Sequence, residues 1–141
     1  MSVRHYQAIH HHLFQDIYAW AGRFRTVRIG KSGSAFCYPE NIAVEMAALF
    51  ADLKKRKFFD GLSANEFAKE AAQFLSTLNA IHPFREGNGR TQTAFIALVA
   101  NHAGHPLNLE KLDPDAFMSA MIASFQKSDA ALTKQIRRLI R

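Results

Sequence analysis

An internal disulfide is closed to this sequence, because its 141 residues include one cysteine, Cys37. No Cys/His spacing resembles a zinc site either, so a reducing compartment, by default the cytosol, is the simplest setting. Long apolar runs are also missing. No uncharged stretch approaches the ~18 residues that cross a bilayer, and the opening MSVRHYQAIHHHLFQDIY has no continuous apolar core of signal-peptide length. A soluble protein with no membrane partner is therefore expected. Repeats, linkers and low-complexity segments are absent, which points to one domain over residues 1–141. The net charge of +6 is scattered rather than massed. Its densest pieces are KKRK at 54–57 and RR at 137–138. The first closes a helix pattern, where cations favour the carbonyl end of the dipole, so a solvated helix terminus is expected there and a nucleic-acid partner is not.

What the sequence does have is apolar material, 48 % of its residues with twelve Phe, ample for a core. From about Arg4 to Trp20, Tyr6, Ile9, Leu13, Phe14 and Ile17 recur at helical steps. His10 to His12 lie inside this pattern. Three consecutive helical positions point three ways and cannot ligate one metal, so these are read as surface and core-edge histidines. In FRTVRIGKSGSAFCYPENI, residues 24–42, the period changes. Thr26–Ile29 and Ala35–Tyr38 are short β-type runs joined by turn residues, a small hairpin whose free edge must pack on the helices or wait for another strand.

Helices follow. Pro39 suits a first helical turn, and Ile42, Met46, Leu49, Phe50 and Leu53 form the stripe. Ser63 and Glu66 make a capping box before Phe67, Ala71, Phe74, Leu75, Leu78 and Ile81, and this helix ends near His82 because Pro83 disfavours helical dihedrals before it. Further helices are expected from about Gly89 to His102, from Asp113-Pro114 through Phe125, and from Asp129 to the end. The fold class is all-α, a compact helical bundle with one β-hairpin.

NAIHPFREGNGRTQTAF, residues 79–95, could be a polar turn or a reaction centre. Gly87 and Gly89 permit unusual dihedrals and close approach of a ligand, while the first N–H groups of the next helix lie unpaired. Together with the helix dipole and the donor fork of Arg90, that makes an anion site suited to a phosphate chain. Glu86 is a hard oxygen ligand of the type Mg²⁺ takes, and His82 is a candidate general base for a hydroxyl nucleophile. Phe84, apolar among polar neighbours, is read as the anchor of the loop. Singly these residues are ordinary turn and surface types; together, and without the lysine-serine/threonine ending of a P-loop, they read as a phosphate-binding loop with catalytic potential.

HPFREGNGR resembles the signature of Fic-domain proteins, His-x-Phe-x-Asp/Glu-Gly-Asn-Gly-Arg-x-x-Arg. LFQDIYAWAGRFRTVRI resembles the segment before the Fic hairpin, and FCYPENI its far strand and following helix; the likeness covers about residues 4–125, with a C-terminal helix from about 129 to 141 beyond it. The resemblance implies transfer of AMP from ATP to a Ser, Thr or Tyr hydroxyl of a target protein. It implies His82 as base, Glu86 as Mg²⁺ ligand, and Gly87, Asn88, Gly89 and Arg90 as phosphate cradle. Ile29, Gly30, Lys31, Ser32, Gly33, Ser34, Ala35 and Phe36 would form the target-docking flap, to which a target segment adds as a strand. Gln126, on a late helix, is a candidate for the base pocket.

Two departures follow. The pattern's closing arginine, which in the family orients the terminal phosphate, falls at Thr93. The family's inhibitory motif, Ser/Thr-x-x-x-Glu-Gly/Asn, is absent, which implies control by a separate small helical antitoxin carrying the glutamate. The expectation is a toxin-like component, in a bacterial cytoplasm or delivered into a target cell. Alternatives are a weakened Fic scaffold that binds nucleotide or antitoxin, motivated by Thr93, and a protein kinase like the Doc branch, against which Gly89 argues because that branch has lysine there.

Overall fold

The computed structural model describes residues 1–31, 34–126 and 128–141, except the side chains of residues 31, 34 and 126. Ser32 and Gly33 of the expected flap lie outside the described residues, as does the Gln126 side chain. The elements run α1 Val3–Phe14, β1 Gly30–Lys31, β2 Ser34–Ala35, α2 Pro39–Lys55, α3 Ala64–Ile81, α4 Asn88–His102, α5 Pro114–Gln126 and α6 Ala130–Leu139, with short 3₁₀ turns at Lys57–Phe59 and Leu109–Lys111. The all-α expectation holds.

Helix α3 is the central element, packed by α2, α4, α5 and α6. Its start is the expected capping box: Ser63 Oγ accepts the Glu66 N–H and Glu66 Oε1 accepts the Ser63 N–H, each at 3.2 Å. Its buried face, from Phe67 through Ala71 and Ala72 to Leu75, Leu78 and Ile81, meets Phe50, Phe95, Leu132 and Ile136 in one core. Burying each large side chain of that core contributes about 2 kcal/mol. The KKRK run ends α2 as expected, with Arg56 pairing to Asp52 at 3.0 Å and Glu70 at 2.7 Å. At the far end of the chain, an antiparallel bridge between Leu107 and Ile140 ties α6 back to the loop before α5.

Two expectations are corrected. Helix α1 stops at Phe14, not Trp20, and Ile17 is 65 % exposed. The chain folds back there because His10 Nδ1 accepts the Gly22 N–H at 2.9 Å and His11 Nδ1 bonds the Ala21 carbonyl at 3.1 Å. The hairpin is also shorter than expected, pairing Gly30 with Ala35 and Lys31 with Ser34, extended by Phe36 N–H to Ile29 O at 3.0 Å. Its lower legs leave the ladder because their bonds go elsewhere: the Cys37 N–H donates to Ala80 O of α3, and Arg25 occupies the space between the legs.

Candidate active site

Helix α3 ends on His82, whose backbone is left-handed at φ 50°, with its N–H still bonded to Leu78 O at 2.9 Å. That conformation suits glycine and costs a β-carbon-bearing residue roughly 1–3 kcal/mol, so the surroundings must impose it. They do so on both sides of the residue. The His82 carbonyl accepts Arg25 Nε at 2.7 Å, and its ring stacks on Phe36 at 3.9 Å with 6° between planes. Phe36 is thus a wall of the site, only 6 % exposed, rather than a free flap residue.

The next residues bind the loop to the core. Phe84 is fully buried, and its ring stacks on His10 at 3.8 Å and Tyr6 at 5.8 Å, as an anchor should. Asn88, 4 % exposed, closes a ring with the Phe84 backbone: Oδ1 accepts the Phe84 N–H at 3.0 Å and Nδ2 donates to Phe84 O at 2.7 Å. The pair of bonds fixes the amide at the start of α4 and uses one of the two Nδ2 hydrogens, so the second hydrogen and the backbone N–H are what Asn88 has to offer an anion.

The two loop glycines serve different ends. Gly87 takes φ 82°, and a Cβ there would run into the Phe14 ring. Gly89 lies inside α4, with nothing within 4 Å of where its Cβ would stand among the described residues. The expectation that both glycines serve unusual dihedrals holds for Gly87 alone; Gly89 leaves open space. No side chain among the described residues caps α4, so the first N–H groups of the helix, those of Asn88, Gly89 and Arg90, are left for a ligand at the positive end of the dipole. Arg90 is exposed, its guanidinium over the Phe14 ring at 5.1 Å.

These groups share a cavity of about 600 Å³. His82, Gly89, Arg90 and Thr93 line one side, and Phe117, Met121, Ile122 and Phe125 of α5 make an apolar wall opposite. A phosphate chain at the α4 N-terminus and a flat apolar group against α5 would fit such a space together. Thr93 is half-buried, its hydroxyl donating back along α4 to Gly89 O at 3.0 Å. Arg90 is the lone permanent cation lining the cavity among the described residues. Glu86 is exposed, and its carboxylate has no hydrogen bond or ion pair among the described residues. No group of three metal-ligating side chains is found among them. A hard cation could take Glu86 as its protein ligand, provided phosphate and water oxygens supplied the rest.

Two residues central to this geometry escaped sequence reasoning. His10, read as surface or core-edge, is wholly buried, and its Nε2 donates to the Glu86 carbonyl at 2.8 Å while Nδ1 receives Gly22. Burial pushes its imidazole below the ordinary histidine range, outweighing the Glu86 bond that raises it. The signal was the four-residue spacing of Tyr6, His10 and Phe14, all buried on one stripe. Arg25 left no signal, since a cation just ahead of a short β-type run reads as solvent-facing.

A half-buried imidazole beside an uncapped helix N-terminus, both opening on one cavity, defines a helical domain that can hold a phosphate-bearing ligand next to a proton acceptor. The chain belongs to the Fic/DOC family, whose model matches residues 1–100. It is 50 % identical over 141 residues to the probable protein adenylyltransferase y4lH of Sinorhizobium fredii, covering 99 % of this chain and 73 % of that protein. It is 37 % identical over 137 residues to the protein adenylyltransferase VbhT of Bartonella schoenbuchensis, covering 97 % of this chain but 29 % of VbhT. Among solved structures, the N-terminal Fic domain of a putative cell filamentation protein of Bartonella quintana, with bound ADP, superposes with a TM-score of 0.87 at 26 % identity over 99 % of this chain and 73 % of that one.

Proposed function

We propose that this chain is a protein adenylyltransferase, moving AMP from ATP to a Ser, Thr or Tyr hydroxyl of a target protein, within one Fic domain spanning residues 1–141. The observation that carries the reading is the shared cavity of His82, Gly89 and Arg90. ATP phosphates sit on the N–H groups of Asn88, Gly89 and Arg90, and His82 takes the proton of the target hydroxyl as its oxygen attacks the α-phosphorus. The bond to the β-phosphate oxygen breaks and pyrophosphate leaves. Glu86 would hold Mg²⁺, which neutralises phosphate charge when bound. The target approaches along the edge of β1 and β2, adding as a strand. The names of the relatives support this chemistry, and the 50 % identity to y4lH supports it most directly.

The setting we infer is a toxin-like protein, in a bacterial cytoplasm or delivered into a target cell, restrained by a small helical antitoxin that brings an inhibitory glutamate. No helix among the described residues is long and apolar enough to cross a membrane. A second reading, nucleotide or antitoxin binding without turnover, is favoured by Thr93, which brings no cation into the cavity and spends its hydroxyl on Gly89 O.

Incubation with α-³²P-ATP and γ-³²P-ATP in a lysate separates these. Label on protein from the α position alone, lost in His82→Ala, is the expected outcome. Label from γ alone would indicate a kinase, and none from either would favour the non-catalytic reading.

A further inference from the structure

The carbonyls at and just beyond the end of α3 are bonded in unbroken order by Arg25 and Cys37, the residues that flank the hairpin. Ala80 O accepts the Cys37 N–H at 3.1 Å, Ile81 O accepts Arg25 Nη2 at 3.1 Å, His82 O accepts Arg25 Nε at 2.7 Å, and Pro83 O accepts the Arg25 backbone N–H at 2.9 Å. The same guanidinium reaches into both hairpin legs, Nη1 to Val27 O at 2.7 Å and Nη2 to Cys37 O at 2.5 Å. Arg25 is 5 % exposed, and no carboxylate among the described residues pairs with it. A buried cation without a counter-charge needs other compensation, and the negative end of the α3 dipole with the leg carbonyls supplies it. A lysine could not replace this array, because its ammonium is a point donor on a flexible stem whereas the guanidinium is a planar fork.

We propose that Arg25 is a positioning residue for His82: it locks the left-handed His82 backbone and both hairpin legs into one bonded unit, so that the place of the imidazole against Phe36 depends on the flap. Arg25 does not line the cavity, and it acts on the imidazole through the backbone it bonds. This rests on the reading of His82 as the base. A strand docking on the hairpin edge then bears on the same bonded unit that holds the imidazole.

The test uses Arg25→Lys and Arg25→Gln in the full chain, with turnover, ATP binding by calorimetry and NMR of the histidine rings, the His82 signal being identified by its loss in His82→Gln. The expected result is a fall in kcat of at least ~10-fold with the ATP Kd within ~3-fold, and His82 ring signals displaced from the positions that stacking on Phe36 gives them. An unchanged kcat, a loss of ATP affinity in step with kcat, or unmoved His82 signals overturns the proposal. Should the parent transfer no AMP, the adenylyltransferase reading fails while the NMR comparison still decides the role of Arg25. Should both variants fail to fold, deuterium exchange on the unaltered chain decides: the amides of Arg25 and Cys37 exchange at one common rate if they open as a unit, and rates more than ~10-fold apart overturn it.

Discussion

At the scale of single residues, Gly87 and Gly89 look alike in the sequence and differ in the structure. Gly87→Ala forces a Cβ into the Phe14 ring at a positive φ, and urea denaturation should show a loss of about 2–4 kcal/mol. Gly89→Ala meets nothing within 4 Å among the described residues, so stability should hold or rise by about 0.5–1 kcal/mol as a helix gains alanine. Calorimetry should nonetheless show ATP affinity reduced ~10-fold or more, because the methyl stands where the phosphates approach. Tyr6 gives a third case. Its hydroxyl is fully buried with no hydrogen-bond partner among the described residues, and burial drives its pKa far upward. Tyr6→Phe removes that unpaired group while keeping the ring among Phe50, Phe84 and Phe95. A rise of ~1 kcal/mol in thermal stability is expected, and a fall would reveal a partner for the hydroxyl. None of these distinctions was legible in the sequence, since they depend on what lies beside each residue. The residue types did disclose the motif: His82, Glu86, Gly87, Gly89 and Arg90 follow one another between the end of α3 and the first turn of α4.

At the scale of elements, the loop between α3 and α4 is held by the Asn88 amide, so Asn88→Ala leaves a buried N–H and C=O of Phe84 unpaired. Denaturation should register a loss of about 2–4 kcal/mol. Asn88→Asp, which can accept from the N–H but not donate to the carbonyl, should fall between. If both variants match the parent, the ring is not holding the loop. Helix ends were legible where local chemistry sets them, as with the Ser63 capping box and the stop before Pro83. They were not legible where distant groups set them. Nothing local told that the strand runs at Thr26–Ile29 and Ala35–Tyr38 would yield to two-residue strands, because the competing acceptors are the α3 carbonyls, far away in sequence. Likewise α1 ended early because Gly22 returns to His10.

At the scale of the whole molecule, the all-α class followed from periodicity, while the shared cavity did not, since it needs α5 laid across from the start of α4. His10 gives the molecule a pH dependence whose sign is fixed. Its native pKa lies below the ordinary value of 6.5, so the unfolded chain takes up the proton first and stability falls as pH drops below that value. About a pH unit above it both states are neutral and this group contributes little slope. Urea midpoints at about pH 7.5, 6.5 and 5.5 should decline mainly over the acid step, and His10→Asn should flatten that decline. The ring that titrates also lies 5.8 Å from Trp20, stacked at 27°, while Trp20 in turn lies 4.4 Å from Tyr18. Trp20 is the sole tryptophan of the chain. Its emission is therefore a built-in optical gauge of the junction between α1 and the signature loop, readable in unlabelled protein.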